Sequence, residues 1–144
     1  MIKISTITIA SSNEVPELAD ITDQVQKTVQ ESGITNGQVT IFSQHTTAAV
    51  LVQENELGIH KDINELLEQI APREKDYHHS VAPDHVADRM PNGHSHLWHF
   101  LLGGSSQTIP VSEGKLLLGQ FQSVFLVELD RARTRKVILQ VIGE

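Results

Sequence analysis

The stretch Gln38–Val52 reads QVTIFSQHTTAAVLV, and whether it is helix or strand settles the class of the fold. β-branched side chains lose rotamer freedom in a helix but pack well on a pleated surface, so this density of Val, Ile and Thr favours extended chain. His45 interrupts the apolar run near its centre. A buried imidazole needs a hydrogen-bond partner, and on this stretch alone His45 reads equally as a satisfied core histidine or as part of a site. Glu54 and Glu56 follow, just before a helical pattern.

Upstream, Ile2 to Ile9 has strand chemistry with a slip of apolar phase between Ile4 and Ile7, which leads us to expect a bulge. A turn is expected over Asn13 to Pro16. Leu18, Ile21, Val25 and Val29 then repeat at helical spacing until Gly33 supplies a stop. Downstream, Ile59, Ile63, Leu66, Leu67 and Ile70 make one helical stripe that Pro72 ends, with Asp62 on its border. From Arg73 to Asn92 periodicity is lost, and Pro83, Asp84, Asp88 and Pro91 mark a long loop.

After Asn92 the pattern fits a short helix, capped by Asn92, carrying Leu97 and Leu101 and ended by Gly103-Gly104; a strand is the alternative. Thr108–Val111 and Lys115–Leu118 flank the turn SEGK and read as a hairpin. Phe121 to Leu129 alternates as a strand with one apolar and one partly polar side. Val137 to Ile142 is apolar on both faces, as a strand buried from both sides would be. Strands outnumber helices without a regular βαβ alternation, so we expect an α+β fold: a single compact domain, residues 1–144, with a mixed, largely antiparallel sheet and a few helices.

The chain has 144 residues, 18 acidic and 11 basic, with a formal charge of -7. That balance argues against nucleic-acid or anionic-membrane partners, so an anionic ligand must find a local basic site. With no cysteine, disulfides, thiolate zinc sites and a Cys nucleophile all drop out. No run approaches the ~18 apolar residues of a membrane span, and the N-terminus lacks a signal-peptide core, so a cytoplasmic protein is expected. Gly-x-Ser-x-Gly and GxGxxG are both absent from the sequence.

Six of the eight histidines fall between His78 and His99. His94 and His96 share a face on a strand but diverge on a helix, and such a pair is a weak metal signal alone. Together with His45, Asp62 and His78 it becomes a His-plus-carboxylate set of the kind that zinc, manganese or magnesium accept. His79, His85 and His99 are assigned to solvent or packing. Arg131, Arg133 and Arg135 alternate in RARTR; in extended chain they form an anion grip, or equally a charged edge that deters aggregation. Gly103-Gly104-Ser105-Ser106 adds a weak phosphate-nest signal.

Taken in order, HTTAAVLVQENE, the helix with Asp62, YHH, NGHSHL, GGSS before IPV, EGKLLLGQFQ and ELDRARTR closely resemble the YjbQ family, also called UPF0047. The likeness spans nearly the whole chain. It departs at Gly119-Gln120-Phe121-Gln122, where the family usually has Gly-Thr-Trp-Gln; Gln122 is kept and the threonine and indole are not. The resemblance implies a compact α+β fold assembling as a homotrimer, with a polar pocket near a subunit boundary. It also implies a secondary thiamine-phosphate synthase activity, joining a pyrimidine pyrophosphate to a thiazole phosphate with loss of pyrophosphate, the principal role being another.

Carried over by position, the pocket residues are His45, Glu54, Asp62, His78 and His96, with Asn92, Ser106, Gln122, Arg133 and Arg135 as companions. His94 is the weaker member of its pair, since related sequences can carry an acidic residue there. We therefore expect His45, His96 and, less centrally, His94 to hold a divalent metal (Zn, Mg or Mn), with Asp62 or Glu54 as ligand or base. Ser106 and the arginines would receive the phosphate of a small metabolite. Two other readings compete: a phosphometabolite-binding protein without turnover, and a metal-dependent hydrolase.

Overall fold

The two halves of QVTIFSQHTTAAVLV are strands, β3 (Gly37–Ser43) and β4 (Ala48–Glu54), and they belong to different sheets. A computed structural model describes residues 1–12, 14–84 and 90–144; Asn13, His85 and Asp88, named above, lie outside the described residues. The first sheet runs β1 (Ile2–Ala10), β8 (Thr134–Gly143), β3, β5 (Ser106–Ser112), β6 (Lys115–Leu116). The second runs β2 (Glu17–Asp20), β7 (Gln122–Glu128), β4. Every strand pair is antiparallel, so the expected α+β domain is built on two antiparallel sheets. Residues 44–47 cross from one sheet to the other and carry His45 out of the apolar run to an end of the sandwich.

Alternation along the second sheet creates two cores. Ala48, Val50, Val124 and Leu126 meet Val39, Ile41, Val137 and Leu139 of the first sheet, together with Ile21, Val25 and Val29 from the helix α1 (Thr22–Ser32) and the residue before it. Ala49, Phe125 and Val127 face the other way, onto Leu67 and Ala71 at the end of α2 (Leu57–Ile70) and Trp98 in α4 (Gly93–Leu101). The short α3 (His78–Val81) interrupts the expected loop between α2 and α4.

Several elements differ from their sequence reading. β7 is covered on both sides, whereas β8 buries Val137, Leu139 and Val141 on one face and only half-buries Ile138 and Ile142 on the other. Leu18 lies in β2, not in the helix. β1 pairs with β8 without a break, so its phase slip is no bulge: Ile7 and Ile9 turn to the core while Ile2 and Ile4 stand exposed on the outer face. Leu97 and Leu101 are exposed too, the inward residue of α4 being Trp98, whose Nε1 donates to Leu67 O (2.9 Å) and Ala71 O (3.0 Å). The SEGK hairpin forms as expected, turning through Glu113 and Gly114 at positive φ. Gly33 ends α1 in the left-handed region. Glu56 caps α2 by accepting from Gly58 N (2.7 Å) and Ile59 N (2.8 Å).

Candidate functional site

Four segments meet at one end of the sandwich around a cavity of about 520 Å³. The sheet-to-sheet crossing contributes Gln44, His45, Thr46 and Thr47; the turn from β7 into β8 brings Asp130, Arg131 and Arg133, with Arg135 following on β8. Asn92 and His96 come from the start of α4, and His79 from α3. Close approach of the helices is local sequence chemistry: a Cβ on Gly93 would collide with the Tyr77 ring, so only glycine lets α4 begin there. Tyr77 is itself held by its hydroxyl, which donates to Pro72 O at 2.6 Å. Two residues beyond it, His79 packs edge-on against His96 with ring centroids 4.4 Å apart.

The floor of the cavity is a buried ion pair. Arg135, 5% exposed, donates from Nε to Glu128 Oε2 (2.7 Å) and from Nη2 to Glu128 Oε1 (2.6 Å), and Nη2 also reaches Thr47 Oγ1 (2.8 Å). Glu128 further accepts from Asp130 N (3.1 Å) and the Ser11 hydroxyl (3.4 Å). Such planar, fork-on-carboxylate pairing is the arrangement that makes a buried charge pair tolerable. Beyond it, Arg133 Nη2 lies 2.7 Å from Asp130 Oδ2, an oxygen that Asn92 Nδ2 also approaches at 3.4 Å. A chain of net charge -7 has thus gathered three arginines at one cavity.

His45 Nε2 accepts the Lys136 backbone N–H at 3.2 Å, which leaves the ring proton on Nδ1. Burial first, and the Arg135 guanidinium second, hold this imidazole below its ordinary value of 6.5. His45 is therefore a neutral N–H donor near neutral pH.

The structure brings together His45, Asn92, His96, Arg133 and Arg135 of the expected residues, and leaves the others elsewhere. Glu54 opposes Gln122 at the far end of β4, six residues from Ala48 and so about 20 Å from the cavity end of the sheet. Asp62 and His78 are exposed, on α2 and α3. Ser106 is exposed opposite Phe42; its neighbour Ser105 is the one that binds, through Oγ to His99 Nε2 at 3.2 Å. His94 turns from the cavity onto Trp98, centroids 4.7 Å apart, with Nε2 3.3 Å from Ser95 Oγ. RARTR is not the regular extended grip of its sequence reading either, since Arg131 and Arg133 sit in the turn and only Arg135 is on the strand.

The expected metal set does not assemble. Among the described residues no three histidine or carboxylate groups come close enough to hold an ion. Within the expected trio, His94 points away and the His45 Nε2 lone pair is already engaged by a backbone N–H. The described residues thus offer a cation no three-donor set.

Residues 5–144 match the family model described as UPF0047 protein YjbQ-like. The chain belongs to the UPF0047 family. A UPF0047 protein of Methanothermobacter thermautotrophicus is 43% identical over 128 residues, covering 89% of this chain and 84% of its own. YugU of Bacillus subtilis, also a UPF0047 protein, is 32% identical, covering 88% of this chain and 90% of its own. Among solved structures, a protein of unknown function from Sulfolobus solfataricus superposes with a TM-score of 0.84 at 37% identity over 100% of both chains. A hypothetical protein from Aeropyrum pernix gives 0.86 at 30% identity over 99% of each.

Sequence reasoning on this UPF0047 chain missed His79, Glu128, Asp130 and the threonine pair. Glu128 had a readable signal: a lone carboxylate inside VFLVEL must have a cationic partner if that strand is covered on both sides. His79 had none, because only the local turn of α3 decides which of two adjacent histidines faces inward.

Proposed function

We propose that the cavity receives the anionic group of a small phosphorylated metabolite, and that it supports thiamine-phosphate synthase-like turnover as a secondary reaction. The observation that carries this reading is the concentration of Arg131, Arg133 and Arg135 around one cavity in an acidic chain. Its volume lies within the ~300–1,000 Å³ usual for small-molecule sites. In the transfer, the carbon–oxygen bond from the pyrimidine to diphosphate breaks and its electron pair leaves with the diphosphate, while the thiazole nitrogen gives its lone pair to the same carbon and forms the new carbon–nitrogen bond. The arginines and the His45 Nδ1–H supply fixed positive charge and a donor where that charge develops.

A second reading, ligand binding without turnover, is favoured by one feature: the carboxylates at the cavity, Asp130 and the underlying Glu128, are both committed to arginines. Calorimetry with inorganic phosphate and diphosphate, followed by an assay of diphosphate release from the two thiamine precursors, separates the two. Binding with release, lost in Arg133→Ala, supports the synthase reading; binding alone supports the second; no binding of either anion removes both.

We also propose a cytoplasmic homotrimer, for which the resemblance speaks. The exposed outer-face residues Ile2 and Ile4, with Leu66, Ile70 and Phe100 on the helices, supply apolar surface for assembly. No helix among the described residues is long and apolar enough to cross a membrane. Sedimentation equilibrium tests the trimer, and a monomer at micromolar concentration overturns it.

A further inference from the structure

Asn92 occupies the N-cap position of α4, where an asparagine oxygen ordinarily accepts from an N–H of the first turn. It makes no such bond here; the Ser95 N–H goes instead to the Asn92 backbone oxygen at 3.0 Å. The side chain is turned toward the cavity end, where Nδ2 donates to Asp130 Oδ2. Its Oδ1 is buried and, among the described residues, has no partner. The residue is 5% exposed and lines the cavity. Flipping the amide gives no relief, since it would set an amide oxygen against the Asp130 carboxylate, two acceptors facing each other.

An acceptor that has given up its capping bond and is then left unpaired in a buried position costs stability, and such groups in native proteins call for an explanation. Asp130 offers only acceptors, and Arg133 and Arg135 are joined to Asp130 and Glu128, so none of these three relieves it. A ligand can.

We infer that Asn92 Oδ1 receives an O–H or N–H of the ligand, so that the cavity selects phosphate esters carrying a hydroxyl or amino donor close to the phosphate. This rests on the phosphate reading above and narrows it. The closeness follows from the network, because Asp130 Oδ2 bridges Asn92 Nδ2 and Arg133 Nη2, which places the acceptor and a cation on either side of one carboxylate oxygen. A site built to accept such a hydrogen rejects the analogue that lacks it more firmly than an apolar pocket rejects a missing methylene, since its own polar group is then left unsatisfied.

The test is calorimetry on the full chain with inorganic phosphate, then with two matched pairs: ethyl against 2-hydroxyethyl phosphate, and propyl against 3-hydroxypropyl phosphate. The hydroxylated member of at least one pair is expected to bind about tenfold tighter, the size of one added hydrogen bond. Asn92→Leu, the same branched skeleton with no acceptor, is expected to bring that ratio close to one. Phosphate binding with no preference in either pair overturns the inference and leaves the phosphate reading standing, as does a preference that survives in Asn92→Leu. Absence of phosphate binding overturns both. The wild-type ratios decide the matter even where the variant does not fold.

Discussion

Replacing Arg135 with methionine removes the guanidinium from a pocket where Glu128 is 2% exposed, and leaves that carboxylate two of its four partners, the Asp130 N–H and the Ser11 hydroxyl. The two bonds lost are the short ones, 2.7 and 2.6 Å. Hydrogen bonds to charged groups contribute ~1.5–3 kcal/mol each, so the pair amounts to roughly 3–6 kcal/mol. Breaking a buried ion pair by removing one partner costs ~3–5 kcal/mol on the same scale. About 4 kcal/mol is therefore expected, a large share of the ~5–15 kcal/mol that holds a domain together. Urea titration at one fixed protein concentration measures it, with the slope checked for constancy so that the midpoint reports stability alone. The double variant Glu128→Leu with Arg135→Met should be more stable than Arg135→Met by itself, since it removes the stranded charge along with its cause. A loss below about 1.5 kcal/mol in the single variant, or strictly additive losses in the double one, would refute the view of the pair as an interdependent buried unit.

Trp98→Phe keeps the ring in the second core but leaves Leu67 O and Ala71 O without their shared donor; a loss of about 1–3 kcal/mol is expected by urea titration, with no change in phosphate affinity. His45, His94 and His99 are all held below 6.5 in the folded chain, burial being the first cause for each. Their contribution is whole above pH 6.5 and drains away as pH falls from there through the lowered folded values, because the unfolded chain takes up protons first. The urea midpoint should accordingly drop between pH 7.5 and 5.5, and a rise would contradict the burial of these rings. Prolonged dialysis against a chelator is expected to leave phosphate affinity unchanged, as the described histidines do not form a three-donor set; a fall restored by added zinc, manganese or magnesium would overturn that.

Much of the fold was legible because its signals are local. β-branched density marks β3 and β4, Gly33 and Pro72 stop two helices, and SEGK closes a hairpin. Partition into sheets was not legible, since nothing local in QVTIFSQHTTAAVLV says that the chain changes layer at residues 44–47. That single event also explains which site residues converge. His45 lies on the crossing and Arg135 on the adjoining end of β8, so they meet; Glu54 lies six residues down the strand and is carried away from them. Likewise the apolar alternation of β1 looked like a defect only because its two faces were assumed to have one exposed and one buried environment throughout. The choice between His78 and His79, or His94 and His96, depends on how short helices rotate against their neighbours, which periodicity over so few residues does not fix.

In the first sheet β8, the last in sequence of the described strands, lies between β1 and β3 and pairs with both along most of its length. During synthesis the partners it joins therefore leave the ribosome long before the element that unites them. Until then β1 has no neighbour in its own layer, and the arginine turn has no strand to brace it. The joining of β1 to the rest of this layer must await β8, a route with high contact order and correspondingly slow closure. Nascent chains stalled before residue 134 should therefore expose the apolar residues of β1 and β3 to chaperones together.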